Sequence, residues 1–388
     1  MNILYAAGAI ALPGRSGGAT HVREVAEGLA RRGHRLHIVA RRGKGQTPEF
    51  TPGIGATLLP LPDKLALLGY PALAGAARGF RPDVVMERYY NFAGSGLLYA
   101  HRHGLPALLE VNAPMVDPPG SRKERLDRLL GRPMRRWAVR QGIWSRWIVT
   151  PLAATVPPPV PRSSIEEVNW GANVDRFRPE LRQERAGEIA ALRRELGLPD
   201  DAVTATFVGS FRAWHGATGF VRAGLSLLAQ HPRLYCIAVG GGPELAAARA
   251  LAAGERRMIF TGPHPHEQVP LLLALSDIGV APFVPSAYAP LRTFGFYWSP
   301  LKVFEYMAMG LPVVAPAIPP LDEIVRDGQE GALYPAEDEA ALAAAVSGLV
   351  TDASARRAMG ARARARVVAH YSWDAHCEQL ERALEAIR

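Results

Sequence analysis

Short apolar runs alternate with helical patterns along almost the whole of this chain of 388 residues. The runs predict six strands in the first part, at residues 3–7, 34–40, 56–59, 83–86, 107–111 and 147–150. They predict six more in the second part, at residues 204–208, 234–239, 258–261, 278–282, 311–315 and 332–334. Alternation of this kind is typical of βαβ units, in which helices cover both faces of a parallel sheet. The fold class is therefore predicted to be α/β, with doubly wound parallel sheets.

Length and composition indicate two domains. A chain of this length, with 48% hydrophobic residues, can bury two cores. Five prolines between Pro151 and Pro161 interrupt both helix and strand, which places the predicted hinge there. We therefore expect one domain over residues 1–165, a second over residues 166–370, and a last helix over residues 371–388.

Composition disfavours several classes of protein. Cys236 and Cys377 are too few and too far apart for a disulfide framework or a zinc cluster, which favours the reducing cytoplasm. The apolar run at residues 3–12 lacks the basic residues of a secretory signal and is too short to span a bilayer. Leu245 stands where a dinucleotide fingerprint needs its third glycine, which disfavours a dehydrogenase. The net charge of +9 predicts attraction to nucleic acid, anionic lipid or phosphorylated small molecules, without choosing among them.

The stretch at residues 299–316 has the features of a ligand site. A helix is predicted over Pro300–Gly310, with Ser299 as its N-cap. Helix starts bind phosphate readily, and Lys302 in the first turn needs an anion to offset its unfavourable place on the helix dipole. Ser299 and Lys302 could thus hold a diphosphate, and Glu305, one turn later, a hydroxylated group. An ordinary amphipathic helix with Lys302 and Glu305 as a surface pair explains the same residues.

Two glycine-containing loops precede predicted helices. Gly17 and Gly18 let backbone amides approach a ligand closely, although glycine there also suits a plain turn. The loop at residues 209–216 follows a predicted strand and offers Arg212 and His215 to an anion. A helix-capping role for His215 is the alternative.

Polar residues also end two predicted strands of the first part. Glu87 and Arg88 follow one strand, and Glu110 and Asn112 lie at the end of the next. In open α/β sheets ligands bind at the carboxyl edge. These four residues are therefore candidate site residues.

Residues 121–149 form a strongly basic segment, with nine Arg or Lys against two acidic residues. Apolar residues at helical spacing, together with Trp137, Trp144 and Trp147, predict a basic helix with an apolar stripe and aromatic anchors, which Pro133 would kink or divide. Such a helix either lies on an anionic membrane or packs its stripe on the first sheet while its arginines are solvated. Nucleic-acid binding is disfavoured, because no nucleic-acid module accompanies the charge.

The stretch at residues 299–316 resembles the donor-site segment of retaining glycosyltransferase family 4, of the GT-B type. The helix opened by Gly17 and Gly18, the Gly-Pro-Glu turn at residues 242–244 and the segment at residues 169–175 are also similar to this family. The resemblance implies two Rossmann-like domains that face a central cleft, with a nucleotide sugar on the C-terminal domain and the acceptor against the N-terminal one. It also implies that the last helix crosses back onto the N-terminal domain.

The resemblance implies roles for individual residues. Arg212 and Lys302 would neutralise the leaving diphosphate, and Asn112 stands where the family commonly has a histidine that contacts the transferred sugar. The implied donor-binding set is Gly17, Gly18, Gly209, His215, Gly241, His264, Tyr297, Ser299, Leu301 and Glu305, and the acceptor side comprises Glu87, Arg88 and Glu110. Asn112 cannot serve as a general base. Ser210 and His215 replace the family's usual arginine and lysine, and Tyr297 replaces a second glutamate.

The expected function is metal-independent, retaining transfer of a hexosyl unit from a UDP- or GDP-linked sugar, with no other cofactor. The expected acceptor is a hydroxyl of a lipid-linked glycan or a small natural product, in the cytoplasm or at the inner face of the membrane. The alternative is a non-catalytic protein on a degenerate GT-B fold that binds membrane surfaces or other polyanions. The replacements at Asn112 and Tyr297 favour that alternative.

Overall fold

Two compact units make up the chain in the computed structural model, which describes residues 1–14, 16–45 and 50–388. Unit 1 comprises Met1–Trp170, Thr293–Ser299 and Trp373–Arg388, and unit 2 comprises Gly171–Arg292 and Pro300–Ser372. Each unit contains one parallel sheet flanked by helices. The predicted α/β class with two Rossmann-like parallel-sheet domains is confirmed.

The sheet of unit 1 has seven strands. They are β1 (Asn2–Leu12), β2 (Arg35–Arg42), β3 (Ile54–Leu59), β4 (Val84–Arg88), β5 (Ala107–Glu110), β6 (Trp147–Thr150) and β7 (Ile165–Glu167). Their order in the sheet is β3-β2-β1-β4-β5-β6-β7, and all pairs are parallel. The order reverses direction between β1 and β4, which is where an open α/β sheet leaves a crevice for ligands.

Five helices follow the strands of unit 1. They are α1 (Gly17–Arg31), α2 (Tyr70–Phe80), α3 (Ser95–His103), α4 (Arg122–Leu129) and α5 (Pro133–Trp144). The basic segment at residues 121–149 is divided at Pro133, as the sequence indicates: Arg132 adopts a left-handed conformation with φ 61°, and Pro133 starts a new helix. Proline cannot continue a helix from the preceding turn, but it is well suited to the first helical position.

The sheet of unit 2 has six strands. They are β8 (Val203–Val208), β9 (Leu234–Val239), β10 (Met258–Gly262), β11 (Ile278–Val280), β12 (Val313–Pro316) and β13 (Gly331–Tyr334), in the order β10-β9-β8-β11-β12-β13. The strand predicted at residues 311–315 begins two residues later, because Leu311 N–H donates to Tyr306 O and closes the preceding helix. The direction of the strand order again reverses, here between β8 and β11.

Most of the remaining helices belong to unit 2, and the longest of them lie near the chain end. They are α6 (Leu181–Glu184), α7 (Ala186–Glu195), α8 (Ala217–Leu228), α9 (Leu245–Leu251), α10 (Val269–Ala274), α11 (Ala289–Phe294), α12 (Leu301–Ala308), α13 (Leu321–Ile324), α14 (Glu339–Thr351), α15 (Ala353–His370) and α16 (Trp373–Ile387). The last of them, α16, belongs to unit 1 and packs against α1. Among the helices of the described residues, none is long and apolar enough to cross a membrane.

Helix α15 packs closely on the end of α12, and a glycine makes this possible. A Cβ added at Gly360 would stand 2.1 Å from the carbonyl oxygen of Gly310. We expect Gly360→Ala to lower the free energy of unfolding of unit 2 by about 1–3 kcal/mol, because a backbone atom must move to accommodate the methyl group. The lower melting temperature would be measured by circular dichroism.

The matched control is Gly348→Ala in α14, where an added Cβ meets no atom within 4 Å. This change should raise stability by about 0.4–1 kcal/mol, since it removes backbone freedom from the unfolded chain alone. A Gly360→Ala protein as stable as the Gly348→Ala protein would contradict the close packing of α15.

Candidate functional site

Two loops at the carboxyl edge of the unit 2 sheet lie in close contact at glycines that have no side chain between them. A Cβ added at Gly240, which follows β9, would stand 1.9 Å from the carbonyl oxygen of Gly209, which follows β8. A Cβ added at Gly209 would stand 2.6 Å from Lys302 Nζ and 3.3 Å from His215 Nδ1. Only glycine fits at either position, so the backbone of these loops, the lysine and the histidine lie together.

Lys302 is the buried cation of this edge. Its side chain projects from the first turn of α12, and the residue is only 8% exposed. Its Nζ lies 4.3 Å and 4.9 Å from the ring centroids of Phe207 and Phe283. Burial lowers the pKa of Lys302 to about 7, although the charge of Glu305 opposes this shift. An anion placed here would restore the charge that burial disfavours.

His215 lies beside this lysine as a neutral ring. Lys302 Nζ is 3.3 Å from His215 Nδ1, so Nδ1 accepts and the ring hydrogen sits on Nε2. Burial, and then the charges of Lys302 and Arg212, lower the pKa of His215 to about 3. Arg212 itself is exposed, and its guanidinium lies 5.2 Å from the ring centroid of Trp214. The structure therefore brings Gly209, Arg212, His215 and Lys302 into one cluster, as predicted for a diphosphate site.

The predicted start of the donor-site helix needs a correction. Helix α12 begins at Leu301 with Pro300 in the capping position, and no side chain caps it. The hydroxyl of Ser299 instead accepts from the backbone N–H of Trp170 at 2.9 Å, within unit 1. The amides of Val303 and Phe304 donate to Pro300 O, so the helix leaves the amides of Leu301 and Lys302 outside its own hydrogen bonds.

Glu305 forms a pair that the sequence did not reveal. It is 8% exposed, and its Oε1 lies 2.7 Å from Nε2 of His266. This hydrogen bond raises the pKa of His266 above its ordinary value. The sequence prediction chose His264, whose Nδ1 lies 3.2 Å from Oε1 of Gln268. No signal short of the fold could have selected His266, because 39 residues separate it from Glu305.

The other predicted donor residues are placed as follows. The carbonyl oxygen of Gly241 accepts from Phe211 N–H, which fixes the turn after β9. Tyr297 belongs to unit 1, where its ring lies 5.4 Å from that of Trp298. Gly17 and Gly18 open α1 in the same unit, and the Ser16 hydroxyl caps this helix by accepting from Ala19 N–H.

Glu87, predicted on the acceptor side, lies in the interior of unit 1. Its carboxylate accepts from the backbone N–H groups of Gly94, Gly96 and Leu97 at 2.7–3.1 Å. Burial raises the pKa of Glu87 to about 7, and these three amides oppose the shift. The side chain thus holds the start of α3 in place and has no surface for an acceptor to contact.

Arg88 and Glu110 also lie inside unit 1, on a buried chain of polar groups. Arg88 Nη1 donates to His21 Nδ1 at 2.7 Å, and His21 Nε2 lies 3.5 Å from Glu110 Oε1. The hydroxyl of Tyr5 donates to Glu110 Oε2 at 2.5 Å. Burial raises the pKa of Glu110 to about 7, against the opposing charge of Arg88. Arg88 and Glu110 are therefore engaged by contacts in the interior of unit 1.

Three buried residues of this polar group lie close enough together to be tested as metal ligands. His21, Glu110 and His376 present ligand atoms within 4.8 Å of one another, and these atoms have no hydrogen-bond partner among the described residues. Arg88 can only donate, so His21 Nδ1 must accept and His21 Nε2 must carry the ring hydrogen. A protonated nitrogen cannot bind a metal, and a guanidinium disfavours a divalent cation beside it. The three residues therefore do not fit a metal centre.

Asn112 is held by a tryptophan. Trp170 Nε1 donates to Asn112 Oδ1 at 2.5 Å, which fixes the orientation of the side-chain amide. Asn112 Nδ2 is buried and has no hydrogen-bond partner among the residues described. The amide can therefore donate to an oxygen of a ligand, and it cannot exchange a proton.

Unit 1 also contains a pocket of about 430 Å³ beside α4 and α5. Charged side chains of both signs line it, including Asp117, Arg132, Arg135 and Arg162. A pocket of this size and polarity suits a small hydroxylated or phosphorylated molecule.

Two family models match the chain. Residues 16–166 match the glycosyl transferase 4-like domain, and residues 202–352 match glycosyl transferases group 1. The two matched stretches together cover most of the sequence.

Curated relatives carry the name D-inositol 3-phosphate glycosyltransferase. The protein from Salinispora tropica is 31% identical over 225 residues, which cover 54% of this chain and 43% of that protein. The protein from Corynebacterium jeikeium is 33% identical over 234 residues, covering 58% and 52%. The chain thus spans about half the length of these relatives. A third, from Acidothermus cellulolyticus, is 27% identical over 373 residues, covering 87% and 79%.

Solved structures share the fold. Sucrose-phosphate synthase from Thermosynechococcus elongatus aligns over 100% of both chains, with a TM-score of 0.75 and 21% identity. Anabaena HepE in complex with UDP-glucose aligns over 100% of both chains, with a TM-score of 0.71 and 16% identity. At these identities the likeness concerns the fold alone.

Burial of Lys302 predicts a pH-dependent effect on stability. Because its pKa is about 7 in the folded protein and 10.5 ordinarily, the unfolded chain binds the extra proton between these values, and stability rises with pH there. We expect Lys302→Met to be more stable than wild type near pH 7, by at most about 5 kcal/mol at about 1.4 kcal/mol per pH unit.

This advantage should shrink as the pH rises toward 10, which melting temperatures of both proteins between pH 6 and 10 would show. Lys64→Met, at an exposed lysine, should differ little from wild type at every pH. A constant difference between wild type and Lys302→Met would mean that the ammonium is not held in the interior.

Proposed function

The chain belongs to family 4 of the GT-B glycosyltransferases, and from this premise we propose that it transfers a hexosyl unit from a nucleotide-diphosphate sugar to a hydroxyl acceptor. The observation that carries the proposal is the buried Lys302, which lies against the bare backbone of Gly209 with no carboxylate of the described residues within 4 Å. Such a site favours an anion that replaces the lost hydration.

Unit 2 would bind the donor through its diphosphate and ribose. Lys302, Arg212 and the amides of Leu301 and Lys302 would surround the diphosphate, and His215 Nε2–H would donate to it. Glu305 would accept hydrogen bonds from the ribose hydroxyls, with His266 orienting its carboxylate. The nucleobase is uracil or guanine in this proposal.

The transfer would be retaining and metal-independent. Positive groups and helix amides stabilise the charge that grows on the leaving diphosphate, which can itself take the acceptor proton. Asn112 would donate a hydrogen bond to the transferred sugar through Nδ2, since Trp170 already occupies its oxygen. This assignment needs no protein base at position 112 and no cation other than those of the chain.

Unit 1 would bind the acceptor. Glu87, Arg88 and Glu110 are engaged in its interior, so they would shape the acceptor site without touching the acceptor. The pocket beside α4 and α5, with Arg132, Arg135 and Arg162 in its lining, is the better place for a polar acceptor. The three arginines would pair with a phosphate, and the three carboxylates of the same lining, Asp117, Glu124 and Asp127, would accept from the hydroxyls of a polyol, in line with the relatives' name, or of a lipid-linked glycan.

Loss of a cation beside the leaving group should slow turnover. We expect Lys302→Ala and Arg212→Ala each to lower kcat more than tenfold, equivalent to roughly 2–4 kcal/mol of transition-state stabilisation. Hydrolysis of UDP- and GDP-sugars would be followed by nucleotide release in the presence of EDTA.

Arg249→Ala is the matched control, because Arg249 also lies 5.2 Å from an aromatic ring centroid, that of Phe260, but outside the glycine loops. Its turnover should stay within about twofold of wild type. Unchanged turnover in Lys302→Ala would refute the assignment of the diphosphate site, and no hydrolysis of any nucleotide sugar by wild type would favour a non-catalytic protein.

Removal of the ribose contact should act mainly on donor affinity. Glu305→Ala is expected to raise the donor KM with little change in kcat, because a ribose contact is made in ground and transition states alike. His266→Ala should raise KM in the same direction but less, since it only orients the carboxylate. Steady-state kinetics distinguish the two parameters, and a fall in kcat alone would give Glu305 another role.

A further inference from the structure

Helix α4 exposes an apolar stripe. Leu126, Leu129 and Leu130 are 57%, 84% and 67% exposed, and their spacing of three and four residues places them on one face. The helix has no buried residue at all. Of the two interpretations of this stripe, packing on the first sheet therefore does not hold for α4.

The two acidic residues of the basic segment at residues 121–149 have local partners. Asp127 accepts from the backbone N–H groups of Met134 and Arg135, and so caps the start of α5. Glu124 accepts from Gly120 N–H and lies 3.7 Å from Arg128. Of the nine basic residues in this segment, Arg128 alone has a carboxylate within 4 Å among the residues that the structure describes. The outward charge of the segment is thus almost wholly positive.

Arginines and apolar side chains share a groove along α5. The groove holds about 460 Å³, and its lining includes Arg132, Arg135, Arg136, Arg140, Ile143 and Trp144, without any acidic residue. Ile143 is 56% exposed. An occupant of this groove must therefore offer both negative charge and apolar surface.

The tryptophans of the segment are not the outward anchors that the sequence predicted. Trp137 Nε1 donates to Ala93 O, and Trp147 Nε1 donates to Glu166 Oε2. Trp144 stacks on His101 with ring centroids 4.7 Å apart. Leucines and arginines, and not aromatic rings, therefore dominate the exposed face.

We propose that this face docks on an anionic lipid bilayer. The docking face is defined as Leu126, Leu129, Leu130 and Ile143 together with the exposed arginines of α4 and α5, which include Arg136 and Arg140. Anionic headgroups would pair with the guanidinium groups, and the leucines would enter the boundary between headgroups and acyl chains. A soluble anion would satisfy the arginines alone and would leave the leucines in water. The proposal does not depend on glycosyl transfer, because the predicted donor residues lie outside the docking face.

The test is co-sedimentation with vesicles of phosphatidylglycerol and phosphatidylcholine, compared with vesicles of phosphatidylcholine alone. Wild type should bind the anionic vesicles at about 0.1 M salt and be released at about 1 M salt, where the Debye length falls to about 3 Å. Arg136→Gln with Arg140→Gln should weaken binding about thirtyfold, since each arginine near the surface strengthens binding several-fold. Leu129→Gln with Leu130→Gln should weaken it about tenfold or more.

The matched control removes the same charge elsewhere. Arg194→Gln with Arg256→Gln changes two exposed arginines of unit 2, and it should bind vesicles as wild type does. All variants change exposed side chains, and unaltered melting temperatures would confirm that they fold. Donor hydrolysis should be unchanged in each, which separates this test from that of the proposed function.

Four results would overturn the proposal. They are absence of wild-type binding to anionic vesicles, an equal loss in the control variant, unchanged binding in the leucine variant, and a wild-type dimer that the leucine variant converts to a monomer. The third would assign the arginines to a soluble anion or to nucleic acid, which a duplex DNA binding assay would distinguish. The fourth, measured by light scattering, would assign the face to a second copy of this chain.

Discussion

Phe207, Phe283 and the neutral ring of His215 surround the ammonium of Lys302, and this incompletely compensated burial is the constraint on which the donor site depends. An ammonium withdrawn from water is unfavourable unless an anion or several hydrogen bonds replace its hydration. The aromatic faces supply part of that replacement, and one imidazole nitrogen supplies another part. The remainder is left for a ligand, so the same geometry that weakens the folded chain strengthens the binding of a diphosphate.

The buried carboxylates of unit 1 differ from Lys302, because they have hydrogen-bond donors within the fold. The carboxylate of Glu87 accepts from three backbone amides, and Glu110 is linked to Tyr5 by a hydrogen bond and lies within reach of His21. The three amides compensate Glu87 within the fold and hold the start of α3 in position, whereas Glu110 has a hydrogen bond through Oε2 alone. Buried charged residues therefore have two roles in this protein. Those of unit 1 stabilise the structure, and Lys302 of unit 2 favours the binding of an anion.

Most of the fold could be predicted from the sequence because its strands are buried on both faces and appear as unbroken apolar runs. The runs at residues 147–150 and 234–239 coincide with β6 and β9. The cluster of Arg212, His215 and Lys302 was predictable for a related reason, since parallel strands bring the loops at their carboxyl ends to one edge.

Partners that are distant in sequence were not predictable. Serine is a common N-cap residue, but the hydroxyl of Ser299 accepts from a backbone amide 129 residues away. The pairing of His266 with Glu305 and the buried position of Arg88 beside His21 likewise depend on how the elements pack. Spacing along the chain specifies which residues share a face of one element, whereas it does not specify which other element covers that face. For the same reason the sequence could not decide whether the apolar stripe of α4 is packed or exposed.

The close approach of Gly209 and Gly240 determines how this site can vary. A Cβ added at Gly240 would strike the backbone oxygen of Gly209, so that exchange moves a loop, and a Cβ added at Gly209 would displace the ammonium of Lys302 from a position with φ 155°. A mutational library aimed at a different nucleotide sugar should therefore keep these two positions constant. It should sample neighbouring side chains instead, such as the half-buried Ser210 next to Gly209.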